Sequence, residues 1–150
     1  MPPLPLLQQR EIEAGVIAPL FRAFAAEVGE ARAREIIGAV IRDLATQAGC
    51  AAATGGNDLA HLKRAVSKWT EGGALELTVL RDDEEVLEFD VTRCRFAEMY
   101  TRLGLADLGG LLSCARDAAM IEGFNPEIAF QRTQTIMGGA SHCDFRYRKK

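Results

Sequence analysis

The chain has 150 residues, 48% apolar and 26% charged, and reads as a single globular domain over 1–150, neither disordered nor disulfide-rich. Its net charge of −3 argues against nucleic acid as a partner, since phosphate binding needs a basic surface. Only Arg146, Arg148, Lys149 and Lys150 cluster as bases, and they read as a solvated tail.

The opening Met-Pro-Pro-Leu-Pro-Leu-Leu lacks the basic start and apolar core of a secretion signal. Residues 14–26 are apolar but interrupted by Pro19 and Arg22, short of the roughly 20 residues of a membrane span. No membrane is expected, and the four cysteines are expected as reduced thiols in the cytoplasm.

Helical spacing governs the first half, about 8–71. Ile12, Val16, Leu20, Phe21 and Phe24 recur at helical intervals over 8–28, with Pro19 expected to kink or divide that helix. A second helix over 30–48 carries Ile36, Ile37, Val40, Ile41 and Leu44 on one stripe. After a glycine-containing loop, Asn57 or Asp58 can cap a third helix bearing Leu59, Leu62, Val66 and Trp69, which Gly72-Gly73 ends.

The period then changes to two. Leu75, Leu77 and Val79, then Leu87, Phe89 and Val91, predict a hairpin over 74–80 and 86–92 around the acidic turn Arg81-Asp-Asp-Glu-Glu85. Phe96, Met99, Tyr100 and Leu103 predict a helix ending at Gly104, and Leu108, Leu111, Leu112, Ala115 and Ala119 another over 107–122. Beyond Phe124-Asn-Pro126, two strands at 127–136 and 141–148 are expected around a tight glycine turn. The fold class is therefore α+β: a four-stranded antiparallel sheet with N-terminal and inserted helices packed on it, the sheet-bearing part covering about 74–148.

Alternation places Ile128, Phe130, Arg132, Gln134 and Ile136 on one side of the first of these strands, and Cys143, Phe145 and Tyr147 on one side of the second. An inward guanidinium costs several kcal/mol, by order of magnitude, unless an anion pairs with it. That anion is either a carboxylate of the same chain or a small molecule seated in a pocket. Cys94 stands where a strand gives way to a helix, where free backbone donors and the helix dipole are expected to lower a thiol's pKa. Cys114 and Asp117 are three apart and share a helix face, and Cys143 follows the Gly138-Gly139 turn beside His142 and Asp144. Each thiol taken alone fits equally well as a small buried hydrophobe. A zinc site is poorly signalled, because the thiols are dispersed and His142 and Cys143 point to opposite faces. No serine–histidine–acid arrangement and no nucleotide loop is present.

These motifs carry a resemblance. Val91-Thr-Arg-Cys-Arg-Phe-Ala-Glu-Met-Tyr-Thr-Arg-Leu-Gly104, Leu112-Ser-Cys-Ala-Arg-Asp117, Gly123-Phe-Asn-Pro126, Arg132-Thr-Gln-Thr135 and Gly139-Ala-Ser-His-Cys-Asp-Phe-Arg146 follow the order of the L-2-amino-thiazoline-4-carboxylic acid hydrolase family. The likeness spans about 69–147, and the N-terminal helices fit in character only. More distantly, the chain resembles the small-molecule-binding domains related to 4-vinyl reductase.

The resemblance implies a hydrolase that opens a small cyclic amidine or amide bearing a carboxylate; no cofactor and no metal are expected. Its partner would be a small anionic heterocycle, and a homo-oligomer stays open. Arg132 would hold the carboxylate, with Thr133, Cys94 and Asp144 as further substrate-binding positions. Cys143 or Cys114 would be the nucleophile in a covalent route, and Asp117 the base in a route through water. The alternative is a non-catalytic binding module that uses the same pocket to sense a ligand.

Overall fold

A computed structural model describes residues 2–150. Helix α1 (Leu6–Val28) turns at Gly29, whose φ of 89° is open to glycine, directly into α2 (Glu30–Ala52). A short 3-10 turn leads to α3 (Leu59–Trp69), which Asp58 caps by accepting the His61 backbone N–H at 2.9 Å. Strands β1 (Leu75–Asp82) and β2 (Val86–Cys94) form the first hairpin, followed by α4 (Arg95–Arg102). A helical stretch made of α5 (Ala106–Gly109), a π segment (Gly110–Cys114) and α6 (Arg116–Phe124) leads to β3 (Ile128–Gln131) and β4 (Cys143–Lys149). The sheet is antiparallel throughout, in the order β1-β2-β4-β3. The α+β class with a four-stranded antiparallel sheet is thus the observed one.

The sheet's inner face is a strip of rings. Leu87 lies opposite Tyr147, Phe89 opposite Phe145 and Val91 opposite Cys143, while Phe130 on β3 pairs with Tyr147. Phe89 stacks on Phe145 at 4.9 Å between centroids, and Phe130 on Tyr147 at 4.8 Å. Leu59, Leu62 and Val66 of α3 and Ile121 and Phe124 of α6 close over this strip. A second cluster joins Ala14, Ala18 and Phe21 of α1 to Ile41, Tyr100, Leu108 and Leu112.

Five expectations need correction. Helix α1 runs through Pro19 as one element. Pro19 therefore does not divide the helix, and its ring lies on the exposed side, where the backbone group left without a donor can be hydrated. Its large apolar row also points outward: Ile12, Val16, Leu20 and Phe24 are exposed, and Ala14, Ala18 and Phe21 are the buried positions. In α2 the buried face is Ala33, Gly38, Ile41, Ala45 and Gly49, while Val40 and Leu44 of the expected stripe are exposed. The reason is close packing on α6. A Cβ on Gly49 would stand 2.0 Å from the Met120 carbonyl oxygen, and one on Gly123 would stand 2.1 Å from that of Thr46. Backbones that meet so closely admit only small side chains between them.

The helix expected over 107–122 is interrupted by the π segment, where the Ala115 N–H reaches back five residues to the Gly110 carbonyl at 2.8 Å. Strand β3 is four residues rather than ten, and residues 132–142 form a loop instead of a tight turn. The Asp144 carboxylate accepts the Thr133 and Gln134 backbone N–H groups at 2.9 Å each, which replaces ladder partners and peels the chain off the sheet. The turn itself closes further on, with the Gly138 and Ala140 N–H groups both donating to the Thr135 carbonyl.

Candidate functional site

The polar centre of the molecule lies where the π segment and the start of α6 face the chain leaving β3. Arg132 continues the inward alternation of Ile128 and Phe130 past the end of the strand, so its side chain turns under the helix rather than into water. One guanidinium nitrogen donates to Asp117 Oδ2 and the other to the Cys114 carbonyl at 3.1 Å. The guanidinium also lies 5.3 Å from the Phe145 ring centroid and 5.7 Å from that of Phe130. The two charged side chains are only 15% and 19% exposed. Arg132 is therefore paired within its own chain, with both arms of its fork engaged.

Asp117 belongs to the first turn of α6. Burial raises its carboxyl to about 6, against the opposing pull of Arg132. A carboxyl at that value is divided between its two protonation states near neutral pH.

The three thiols surround this pair closely enough for its charges to act on them. Cys114 is raised to about 12 by burial and by the Asp117 charge, with Arg132 opposing. Cys143, on β4, is raised by burial although the Ile136 N–H donates to its Sγ at 3.2 Å. Cys94 caps α4, its Sγ accepting the Ala97 N–H at 3.4 Å, yet burial outweighs that contact and its pKa also goes up. This corrects the expectation of a lowered Cys94: a helix N-terminus favours thiolate only where water can still reach the sulfur. Among the described residues no three His, Cys, Asp or Glu side chains converge to hold a metal ion.

Thr133 and Asp144 are occupied with each other. Beyond the two backbone contacts, the Thr133 hydroxyl donates to Asp144 Oδ2. Burial works to raise the Asp144 carboxyl, but these hydrogen bonds prevail and hold it below the ordinary range. Both residues fix the loop that carries Arg132 away from the sheet.

Sequence reasoning passed over Tyr147. Its side chain is fully buried, and among the described residues its hydroxyl has no hydrogen-bond partner. Burial and the nearby Asp117 charge push its pKa well up, so the group stays a neutral phenol. The alternation of β4 already marked Tyr147 as inward, and a polar tip on an inward ring was the available signal. A groove of about 630 Å³ runs between α6 and the free edge of β3 and is lined by Ala118, Ile121, Pro126 and Phe130 among others. Arg132, Asp117 and the thiols do not line it; Phe130, whose ring carries the Arg132 guanidinium, links the two.

Among solved structures, the crystal structure of the phenol-responsive sensory domain of the transcription activator PoxR with phenol is similar, with a TM-score of 0.55 over 89% of this chain and 72% of that one. At 14% identity this likeness shows the fold alone. None of the curated proteins compared with the chain matches it. The family model for L-2-amino-thiazoline-4-carboxylic acid hydrolase matches residues 9–147, so that the N-terminal helices fall within the match along with the motif-bearing half. On that match, the chain belongs to the L-2-amino-thiazoline-4-carboxylic acid hydrolase family.

Proposed function

We propose that the Arg132–Asp117 pair is the substrate-binding centre of a hydrolase that opens a small ring bearing both an amidine and a carboxylate. The observation that carries this reading is the pair itself, one cation and one anion held in a largely buried centre, close enough to act on a phenol that has no hydrogen-bond partner among the described residues. A ligand with a single charge would leave one partner uncompensated, which costs several kcal/mol by order of magnitude. A ligand carrying one charge of each sign exchanges one ion pair for two. Its carboxylate takes the planar fork of Arg132, and its amidinium faces Asp117.

In this reading water adds to the amidine carbon, the carbon–sulfur bond breaks, and the sulfur leaves to give an N-carbamoyl amino acid with a free thiol. Asp117 takes the proton from water and returns it to the departing sulfur, a task suited to a carboxyl near 6. The raised thiols favour this route over covalent attack by Cys143 or Cys114, since a protonated thiol is a poor nucleophile. In this reading the Tyr147 hydroxyl donates to the ligand, and Thr133, Asp144 and Cys94 act by positioning. The four free thiols support a reducing, cytoplasmic setting.

The same raised thiols give a second reading its support: a binding module of the 4-vinyl-reductase type that senses the ligand without turning it over. Steady-state kinetics with 2-amino-thiazoline-4-carboxylate, following thiol release, separates the two. Turnover that falls at least a hundredfold in Asp117→Asn and is near normal in Cys143→Ser is the expected result. Saturable binding of that ring without thiol release would favour the sensor, and neither binding nor turnover would remove both.

A further inference from the structure

The exposed side of α1 is apolar in a way that its own fold does not use. Ile12, Val16, Leu20 and Phe24 form a row spaced by four and are between 43% and 61% exposed. Beside them runs a second row, Gly15, Pro19 and Ala23, also spaced by four and exposed. A Cβ built on Gly15 would meet nothing, so the furrow above it is open. Val40 and Leu44 add two more exposed apolar side chains on α2, which packs against α1.

We infer that this face is the contact between two copies of the chain. The first argument is area. Counting Ile12, Val16, Leu20, Phe24 and Val28 of α1 alone, the uncovered surface is on the order of 500 Å², at the upper end of the roughly 300–600 Å² of a typical monomer's largest patch, and with Val40 and Leu44 the two helices expose about 700 Å², near the about 800 Å² per partner of a standard interface. The second is self-complementarity. A ridge of large side chains beside a furrow of small ones, both spaced by four, lets each copy's ridge lie in the other's furrow across a two-fold axis. Such packing brings the helices together at about −50°. The axis would fall between Val16 and Leu20, with Ile12 of one copy toward Phe24 of the other.

The third argument is charge. The α2 region, Glu30–Gly55, is apolar enough to cross a membrane by length and composition, with a mean hydropathy of 1.2 and only 22% of that window buried. However, α1 and α2 together contain no lysine and hold five arginines against five glutamates and one aspartate. A helix lying on an anionic lipid surface carries an excess of bases on its polar face, and these helices do not. Glycine-tight packing of α2 on α6 also ties it to the domain.

The test is sedimentation equilibrium of the full chain from about 1 to 100 μM, with Gly15→Leu and Leu20→Glu beside it. A dimer is expected for the unsubstituted chain. Gly15→Leu fills the furrow at a position that is open in the single chain, and it replaces a mid-helix glycine by a strong helix former, so the monomer should fold as well or better. Both variants are expected to raise the dissociation constant at least a hundredfold with unchanged circular dichroism. Leu80→Glu, at an exposed position on the edge strand β1, is the control and should leave the dimer intact. A chain that stays monomeric up to 100 μM overturns the inference, as does a dimer that only Leu80→Glu dissociates. Flotation of the unsubstituted chain with phosphatidylcholine–phosphatidylserine vesicles would likewise overturn it, in favour of lipid. Should Leu20→Glu fail to fold, Gly15→Leu and dilution of the unsubstituted chain still decide.

Discussion

Two buried regions of this molecule are closed in opposite ways. Between α2 and α6 the contact is made by what is missing: Gly49 and Gly123 have no side chain, and the opposing carbonyls fill the space. Around Arg132 the contact is made by what is costly to bury, a cation, an anion and a lone phenol. The first region gains dispersion and tight packing and offers no reactive group. The second gives up stability for polar atoms aimed inward, which is the usual mark of a site that must receive something. Helix α6 carries both contacts, the glycine-tight packing at Gly123 and the charged pair at Asp117, so it is the element through which the proposed site would be held.

The contrast is most easily broken at the glycines. Gly123→Ala places a methyl group against the Thr46 backbone, which has no flexible end to give way, so the helices must separate. A loss of about 3 kcal/mol is expected from overpacking of this kind, read as a fall in the midpoint of urea unfolding. Unchanged stability would mean that α2 and α6 are not in such close contact.

Arg132→Met attacks the other region. Asp117 then loses its cation, and a loss of about 3 kcal/mol is expected at pH 8, as for other buried pairs with one partner removed. The pH dependence gives the sign. Burial already raises the folded-state carboxyl above its ordinary 3.8, to about 6, so the stability linked to its protonation is present below about 4 and lost as pH rises through 6. Without Arg132 the folded value moves further up, and the variant's deficit should shrink on acidification. A deficit that is the same at pH 5 and pH 8 would mean that Asp117 is not the partner that matters.

Catalysis should follow the opposite limb. If Asp117 acts as a base, turnover rises with pH through about 6 to a plateau, because the ionised carboxylate is the active form. A flat profile between pH 5 and 8 would remove Asp117 from that role.

The smallest effect sharpens the comparison most. Tyr147→Phe deletes a buried hydroxyl that has no partner among the described residues, so the chain should gain about 1 kcal/mol of stability. Ligand binding should weaken in the same variant. A gain in stability with unaltered ligand affinity would return Tyr147 to the plain core.

Much of the fold was legible in the sequence because it depends on local periodicity. The alternation of Leu87, Phe89 and Val91 and of Cys143, Phe145 and Tyr147 assigned the inner face of the sheet, and every one of these residues is buried. Arg132 could be read as inward, and its dependence on an anion, either a carboxylate of the chain or a bound small molecule, followed from the cost of burying charge. Legibility failed where apolar residues were plentiful on more than one side. Rows such as Ile12-Val16-Leu20-Phe24 look like a core stripe, yet alanine and glycine face inward because the helices meet too closely for anything larger.

The sequence by itself determined the order and type of the main helices and strands, the antiparallel pattern, and that Arg132 and three cysteines belong to the motif-bearing half. Only the tertiary structure decided that Asp117 is the carboxylate beside Arg132, that the thiols are held protonated, and that β3 ends after Gln131. The division has one physical reason. Periodicity is a property of neighbours along the chain, whereas ion pairing, desolvation and backbone approach depend on residues that folding brings together from as far as 103 positions apart.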